Sequence, residues 1–423
     1  MGHELIDSTS FIEGRGESFC RGCLKMNLFS GLNLGKLPIA NELLTARDVS
    51  LDKYPLHLRI CSECCLGQVA DVVTPERIFR DYRYFSSISS TFLQHASDFV
   101  NQRVEEEMFS PGDWVLEIAS NDGYLLKNFL PYGIKTIGVE PAENVAEVSR
   151  SLGVYTISEF FSSRLAIELL DKHGHPKLII ANNVMAHIPD LIDFVKGLAI
   201  LCGADTQISI ENPSLSNILI GMQFDTIYHE HYSYLSASAV SKISKSRGLL
   251  LFKVEELSIH GGSNRYWLRA ASENAPIHPS VDSVIRKEQI SRLFDASEWT
   301  NYSLKVQKIL NDFRNWLGEG AENGSRVFGY GAAAKASTIL NSINFEVGFM
   351  KAIADASPEK QNRFMPPHGI KIISPQQMFE EKPTDVVIFP WNIKSEIAKY
   401  LRLNLDAGIR LWCAIPEMHQ VEI

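Results

Sequence analysis

The sequence predicts an α/β protein in three parts: a small four-cysteine metal-binding unit, a central doubly wound parallel sheet, and a second Rossmann-like α/β unit. Three observations carry this. Two Cys-x-x-Cys pairs, Cys20-Arg21-Gly22-Cys23 and Cys61-Ser62-Glu63-Cys64, lie near the start. Apolar strand-like runs then alternate with helical stretches, the rhythm of parallel strands joined by crossovers. That rhythm restarts after a long amphipathic stretch beginning near Ile285. A chain of 423 residues suits two or three domains, with expected boundaries at 16–75, 76–284 and 285–423.

Composition is that of a soluble globular protein, 45% hydrophobic and 22% charged. The net charge of −9 offers no field to draw in a polyanion, so nucleic acid is not an expected partner. No signal peptide and no apolar run near twenty residues is apparent, so a cytoplasmic protein without membrane contact is expected. The first fifteen residues, including Ile12-Glu13-Gly14-Arg15, are given no structural role.

Each cysteine pair can clamp one side of a tetrahedral ion, and Cys20, Cys23, Cys61 and Cys64 together make a four-thiolate zinc site. Such a site has no open position, so the zinc is expected to be structural. Disulfides, the competing reading, fit a cytosolic chain badly. Cys65 reads as a spectator, and Cys202 and Cys413 as core. Between the pairs, Tyr54 to Ile60 alternates apolar and polar residues, as a half-buried strand does. Asp81 to Ser87 clusters tyrosines beside serines and suits a binding lip. A helix from about Thr91 to Phe109 stops at Ser110-Pro111-Gly112.

The central sheet opens with Trp114-Val115-Leu116-Glu117-Ile118, a buried strand, then Ala119-Ser120-Asn121-Asp122-Gly123 and a helix from Tyr124 to Leu130. Small residues at that turn let a ligand approach backbone nitrogens. A second strand ends at Glu140-Pro141, where a carboxylate can take both hydrogen bonds of a ribose diol. The third unit leads to Phe160, and the fourth, Lys177 to Ala181, ends in Asn182-Asn183. The first turn lacks G-x-G-x-x-G and carries Glu117 and Asp122 instead, which repel a pyrophosphate and suit a cationic sulfonium. S-adenosylmethionine is therefore favoured over a nicotinamide dinucleotide. The middle unit reads as a class I SAM-dependent methyltransferase domain with Glu117, Ser120, Asn121, Asp122, Gly123, Glu140, Pro141, Phe160 and Asn182 around the cofactor.

Asn183-Val184-Met185-Ala186-His187 follows the fourth strand, where substrate meets cofactor in such sheets. A fifth strand, Gln207 to Pro213, delivers Tyr228-His229-Glu230-His231-Tyr232-Ser233-Tyr234 to the same rim. Strands at Leu249 to Glu255 and Tyr266 to Ala270 complete the sheet. Gly261-Gly262 between them serves either ligand approach or a plain hairpin. In the last third, Ile285 to Gly318 reads as one amphipathic helix with Leu293, Phe294, Leu304, Val306, Ile309, Leu310, Phe313 and Trp316 as its apolar face. Val327 to Ser337 is then a strand, glycine turn and helix start that can face an anion, with Lys335 adding charge.

These motifs, in this order and over essentially the whole chain, resemble the nucleotide-sugar C-methyltransferases of branched deoxysugar biosynthesis, which methylate C3 of 4-keto-6-deoxy sugars. The resemblance implies a nucleotide-diphosphate sugar as substrate and His231 as the base that forms the enolate. Glu230 would orient His231 or a substrate hydroxyl. It also implies that Tyr228, His187, Asn183 and Tyr84 line the sugar, with Tyr84 or His187 at the carbonyl oxygen. Methyl delivery opposite the departing proton gives inversion at C3. The resemblance further places Tyr330, Gly331, Lys335, Asp355, Trp391 and Asn392 near the nucleotide. Lys360-Gln361-Asn362-Arg363-Phe364-Met365-Pro366-Pro367-His368-Gly369 stands where the family more often has Lys-Gln-Gly-Arg-Tyr-Met-Pro-Gly-Thr, which leaves TDP, GDP and CDP open. A monomer or weak homo-oligomer is expected. The alternatives are an O- or N-methyltransferase of another small metabolite, and a zinc-knuckle RNA-binding protein, which would need a basic stripe.

Overall fold

The computed structural model describes residues 17–47, 51–70, 72–79, 87, 90–107, 109–273, 275–406 and 408–422. Tyr84, the first fifteen residues and most of the Asp81 to Ser87 stretch lie outside them.

β1 (Leu28–Leu37) and β2 (Tyr54–Cys61) pair antiparallel, and β2 passes through the second cysteine knuckle into β3 (Gly67–Gln68). The alternation in β2 is observed: Leu56, Leu58 and Ile60 are buried. A helix, Ser90–Glu107, leads to the central sheet. β4 (Trp114–Ile118), β5 (Lys135–Val139), β6 (Tyr155–Ile157), β7 (Leu178–Asn182) and β8 (Gln207–Pro213) run parallel. All five residues of β4 are buried, as in a strand covered on both faces. β9 (Ser233–Tyr234) leaves that sheet and joins β3, Gly67 opposite Tyr234. β10 (Leu249–Leu257) and β11 (Ser263–Ala270) close the central sheet antiparallel, in the order β10-β11-β8-β7-β4-β5-β6. Strand order reverses between β4 and β7, which puts the ligand crevice outside their carboxyl ends.

The third unit comprises β12 (Val327–Tyr330), β13 (Ile353–Ala354), β14 (Phe364–Met365), β15 (Ile370–Ile373), β16 (Asp385–Ile388), β17 (Arg410–Cys413) and β18 (His419–Gln420). They lie in the order β14-β15-β13-β12-β16-β17-β18, with antiparallel edge strands. The three units share apolar core: one buried cluster joins Leu56, Leu58 and Ile60 to Phe224, Ile227 and Tyr234, and to Trp299, Val327 and Phe389. No helix among the described residues is long and apolar enough to cross a membrane.

Two sequence expectations need correction. The helix read from Ile285 to Gly318 is two helices, Ser280–Ile290 and Ala296–Glu322. Arg292 has φ +54, and the Asp295 carboxylate accepts from the Ser297 N–H to cap the second helix, so the chain turns between them. Leu304 belongs to no apolar face and is 66% exposed. The segment read as a helix from Tyr124 to Leu130 is instead a 3-10 helix at Leu126–Tyr132, containing Pro131, which has no N–H to donate. The second long helix packs along β1, where the Ser303 hydroxyl donates to the Gly31 carbonyl at 2.9 Å.

Candidate active site

The four knuckle sulfurs lie within 4.8 Å of one another, with Cys20 and Cys64 at 3.3 Å and Cys23 and Cys61 at 3.6 Å. Tetrahedral zinc with bonds of about 2.3 Å spaces its sulfurs by about 3.8 Å, so a small relaxation accommodates the ion. The backbone N–H groups of Gly22 and Cys64 point at the sulfurs of Cys20 and Cys61, at 3.3 and 3.4 Å, which suits thiolates. All four cysteines are free of disulfides. Of the two cysteines expected in the core, Cys413 is buried and Cys202 partly so; Cys65 is buried as well.

At the carboxyl end of β4 the backbone enters the left-handed region three times in five residues: Ala119 (φ +55), Asn121 (φ +48) and Gly123 (φ +75). Such conformations cluster where a turn is over-determined by a site. The turn is tied to β5, because the Asn121 and Ala142 N–H groups donate to the two oxygens of Glu140 at 3.1 and 2.9 Å. Burial pushes the Glu140 carboxyl up to about 7, those two N–H bonds opposing it. Glu117 is raised well above the usual range by burial, then by the charges of Asp122 and Glu140. Glu117 Oε2, Asp122 Oδ1 and Asn182 Oδ1 are buried without a hydrogen-bond partner among the described residues. Two carboxyl oxygens and an amide oxygen with spare lone pairs at one rim call for a cation and for hydroxyl donors. Ser120 turns the other way: its hydroxyl packs where a Cβ on Gly138 would fall, 2.4 Å away. Phe160 stands 40% exposed and Pro141 half-buried at the rim.

The segment from Phe224 to Tyr234 is where the three units meet. From the zinc unit, Arg21 donates to the carbonyls of Tyr232 and Val69, and Gln68 pairs with Ser233 in the β3–β9 ladder. Asn41 donates through its backbone and side chain to Glu230 Oε1, both at 3.1 Å, and His229 Nε2 bonds the Tyr54 carbonyl at 3.2 Å. From the central sheet, His187 Nδ1 donates to the Glu230 carbonyl at 2.6 Å. From the third unit, Trp391 Nε1 donates to Asp225 Oδ2 at 2.8 Å.

Within this segment His231 Nδ1 bonds the Thr226 carbonyl at 3.0 Å, which fixes the proton there and leaves Nε2 as acceptor. The Tyr228 hydroxyl donates to that Nε2 at 2.8 Å. Burial, and then the neighbouring His187, hold the His231 imidazole well below its ordinary range, so it is neutral at neutral pH. The rings of His187 and His231 meet edge to face at 4.7 Å. Burial lowers His187 to about 4, and likewise His229. The Glu230 carboxylate does not orient His231, as the sequence had suggested. It faces Asn41, and burial raises its pKa. Thr226 does the orienting, through a backbone carbonyl that no side-chain pattern reveals. Asn183 sits on the same rim with φ +54, its N–H donating to the Glu211 carbonyl.

The glycine turn after β12 is internally occupied. Asp355 accepts from the Ala332 and Ser357 N–H groups at 2.8 and 2.9 Å, and from Lys360 at 3.3 Å. Gly331 (φ +91) leaves no room for a side chain, since a Cβ would meet Pro390 at 2.4 Å. Tyr330 is buried beside Tyr400, and Asn392 is half-buried next to Trp391. Gly261-Gly262 admits protein: a Cβ on Gly261 would meet the Trp391 ring at 2.2 Å. The sequence reading also passed over a buried network beside the rim, in which Glu211 accepts from Arg265 at 2.7 Å and from His95 at 3.0 Å. A carboxylate ending a strand one residue before Asn212 was its available signal.

Three family models match in succession: a zinc binding domain at residues 20–79, a methyltransferase domain at 91–254 and a C-methyltransferase C-terminal domain at 258–416. Together these three matches make the chain similar to C-methyltransferases along nearly its whole length. C-methyltransferase NovU of Streptomyces niveus is 29% identical over 400 residues, covering 94% of this chain and 95% of NovU. Among solved structures, magnesium protoporphyrin IX methyltransferase of Synechocystis PCC 6803 with bound SAM aligns at TM-score 0.33 and 15% identity, covering 46% of this chain and 89% of its own. The CcbJ methyltransferase of Streptomyces caelestis aligns at TM-score 0.31 and 12% identity, covering 43% and 90%. The four cysteines fall inside the zinc binding domain match, and their sulfur spacing fits zinc. The orphaned carboxyl oxygens of Glu117 and Asp122 and the amide oxygen of Asn182 fit a cationic sulfonium such as that of S-adenosylmethionine.

Proposed function

We propose that this SAM-dependent C-methyltransferase methylates C3 of a nucleotide-linked 4-keto-6-deoxy sugar through an enolate. The observation that carries the reading is His231: a neutral imidazole with its proton fixed on Nδ1 by the Thr226 carbonyl and its acceptor Nε2 facing the Tyr228 hydroxyl. A hydrogen on the carbon beside a ketone is what such a base can remove.

In this reading Glu117, Asp122 and Asn182 hold the amino-acid and sulfonium side of the cofactor, and Glu140 takes the ribose diol. Asn121, Gly123, Pro141 and Phe160 frame it, while Ser120 supports the turn from below. When bound, S-adenosylmethionine supplies an electrophilic methyl. His231 Nε2 takes the C3 proton as the Tyr228 hydroxyl yields its place or relays it, and Thr226 steadies the imidazolium that forms. Tyr228, Asn183, His187 and Tyr84 line the sugar. Three domains, 16–75, 76–284 and 285–423, each contribute, with Tyr330, Trp391 and Asn392 of the last toward the nucleotide. Relatedness to NovU along nearly the full chain supports carbon as the acceptor.

The test incubates TDP-, GDP- and CDP-4-keto-6-deoxy sugars with enzyme in deuterated water, first without and then with S-adenosylmethionine. Deuterium entry at C3, followed by a gain of one methylene mass on one of them, is expected. Methylation at oxygen with no C3 exchange would overturn the reading in favour of an O-methyltransferase.

A further inference from the structure

We propose that Lys335, carried by the third unit, is a catalytic residue of the methyltransferase site that stabilises the enolate oxygen of the substrate. This rests on the enolate reading above and assigns Lys335 a role at the reacting carbonyl in place of nucleotide binding.

Lys335 lies in the first turn of the helix Ala334–Asn341, which packs on the Phe224–Thr226 turn. That turn supplies the Thr226 carbonyl that orients His231. The Lys335 ammonium sits 4.5 Å over the Trp391 ring. Its Nζ is buried without a hydrogen-bond partner, and no carboxylate lies within ion-pair distance, among the described residues. Trp391 is itself pinned, to Asp225 through Nε1 and against Gly261. The ammonium is therefore held on a rigid platform with its donors unspent.

Two observations turn it toward the base and away from a diphosphate. Its helix packs on the Phe224–Thr226 turn of the central unit, and its Trp391 platform is bonded to Asp225 of that same turn. The neighbouring turn, the natural diphosphate cradle, already gives its Ala332 N–H to Asp355 and is closed by Pro390. A single enclosed ammonium, on a helix packed against the turn that orients a neutral base, suits one oxygen that gains charge as the C–H bond breaks. His231 takes the proton, the electron pair moves through C3–C4 to the carbonyl oxygen, and Lys335 meets the resulting charge. Burial lowers the Lys335 pKa, with Asp225 opposing, which strengthens its interaction with a nascent anion.

The experiment compares wild type, Lys335→Met and Lys335→Arg for C3 deuterium exchange without cofactor and for kcat and KM with it. Lys335→Met is expected to lose about 10²–10³-fold in both exchange rate and kcat, with KM changed much less, since a donor to an oxyanion acts in the transition state. Lys335→Arg should recover part of both rates. Lys335→Met with wild-type exchange and kcat but a raised KM would overturn the proposal and return Lys335 to phosphate binding. Absence of exchange in wild type would instead strike the enolate reading itself, so the two failures are distinguishable.

Discussion

Gly261→Ala tests how firmly the third unit is wedged into the active-site rim. Gly261 adopts φ +86, a conformation that costs an alanine about 1–2 kcal/mol. The added Cβ would fall 2.2 Å from Trp391 Cη2 and 2.7 Å from Cζ3, so the indole must swing away. With it goes the Nε1 bond to Asp225, a fully buried carboxylate whose other oxygen already lacks a donor among the described residues. A hydrogen bond to a charged group is worth about 1.5–3 kcal/mol. The sum is about 2.5–5 kcal/mol, and Lys335 loses its aromatic platform at the same time. Urea unfolding followed by tryptophan fluorescence reads the first effect, and initial rate the second. Gly112→Ala is the control: φ is +97 there but nothing lies within 4 Å, so only the backbone cost of about 1–2 kcal/mol applies. Gly261→Ala matching the control in both stability and rate would refute the wedge.

His231→Ala is expected to lose about 10²–10⁴-fold in kcat, as for removal of a general base, while S-adenosylmethionine binding by calorimetry stays unchanged. The acid limb of kcat/KM should be centred below pH 6.5: the depressed imidazole stays neutral and active until the pH falls through its lowered pKa, and a limb at or above 6.5 would contradict its burial. Purified protein should carry one zinc per chain. Its removal, or Cys64→Ser, should raise KM and lower kcat together, because Arg21 in the first knuckle holds the Tyr232 carbonyl beside His231. Metal-free protein with full activity would separate the knuckles from the site. Asn41→Ala should strip the Glu230 carboxylate of its side-chain donor and lower the melting temperature with a smaller effect on kcat than His231→Ala.

Much of this was legible in the sequence because it is local. Strand β4 is apolar but for Glu117, β2 alternates, and each Cys-x-x-Cys sets its own knuckle, so period and spacing report them directly. The acidic rim was equally readable, since Glu117 in β4, Asp122 in the turn after it and Glu140 directly after β5 lie toward the edge of a sheet whose ligand side is fixed by topology. The break at Arg292 was not, because Leu293 is buried and keeps the apolar period running through the turn.

What tertiary structure alone decided is how the residues around His231 are held. The chemical types in Tyr228 to Tyr234 could be named from sequence, but their partners lie far away in the chain: Arg21 and Asn41 in one unit and His187 in a second, while Trp391 of the third reaches Asp225 just ahead of them. Several of those bonds use backbone carbonyls, at Thr226, Glu230 and Tyr232, which every residue possesses and no sequence pattern marks. Local periodicity placed the strands; long-range packing, which follows from three apolar faces burying one another, placed the His231 imidazole and the groups that hold it.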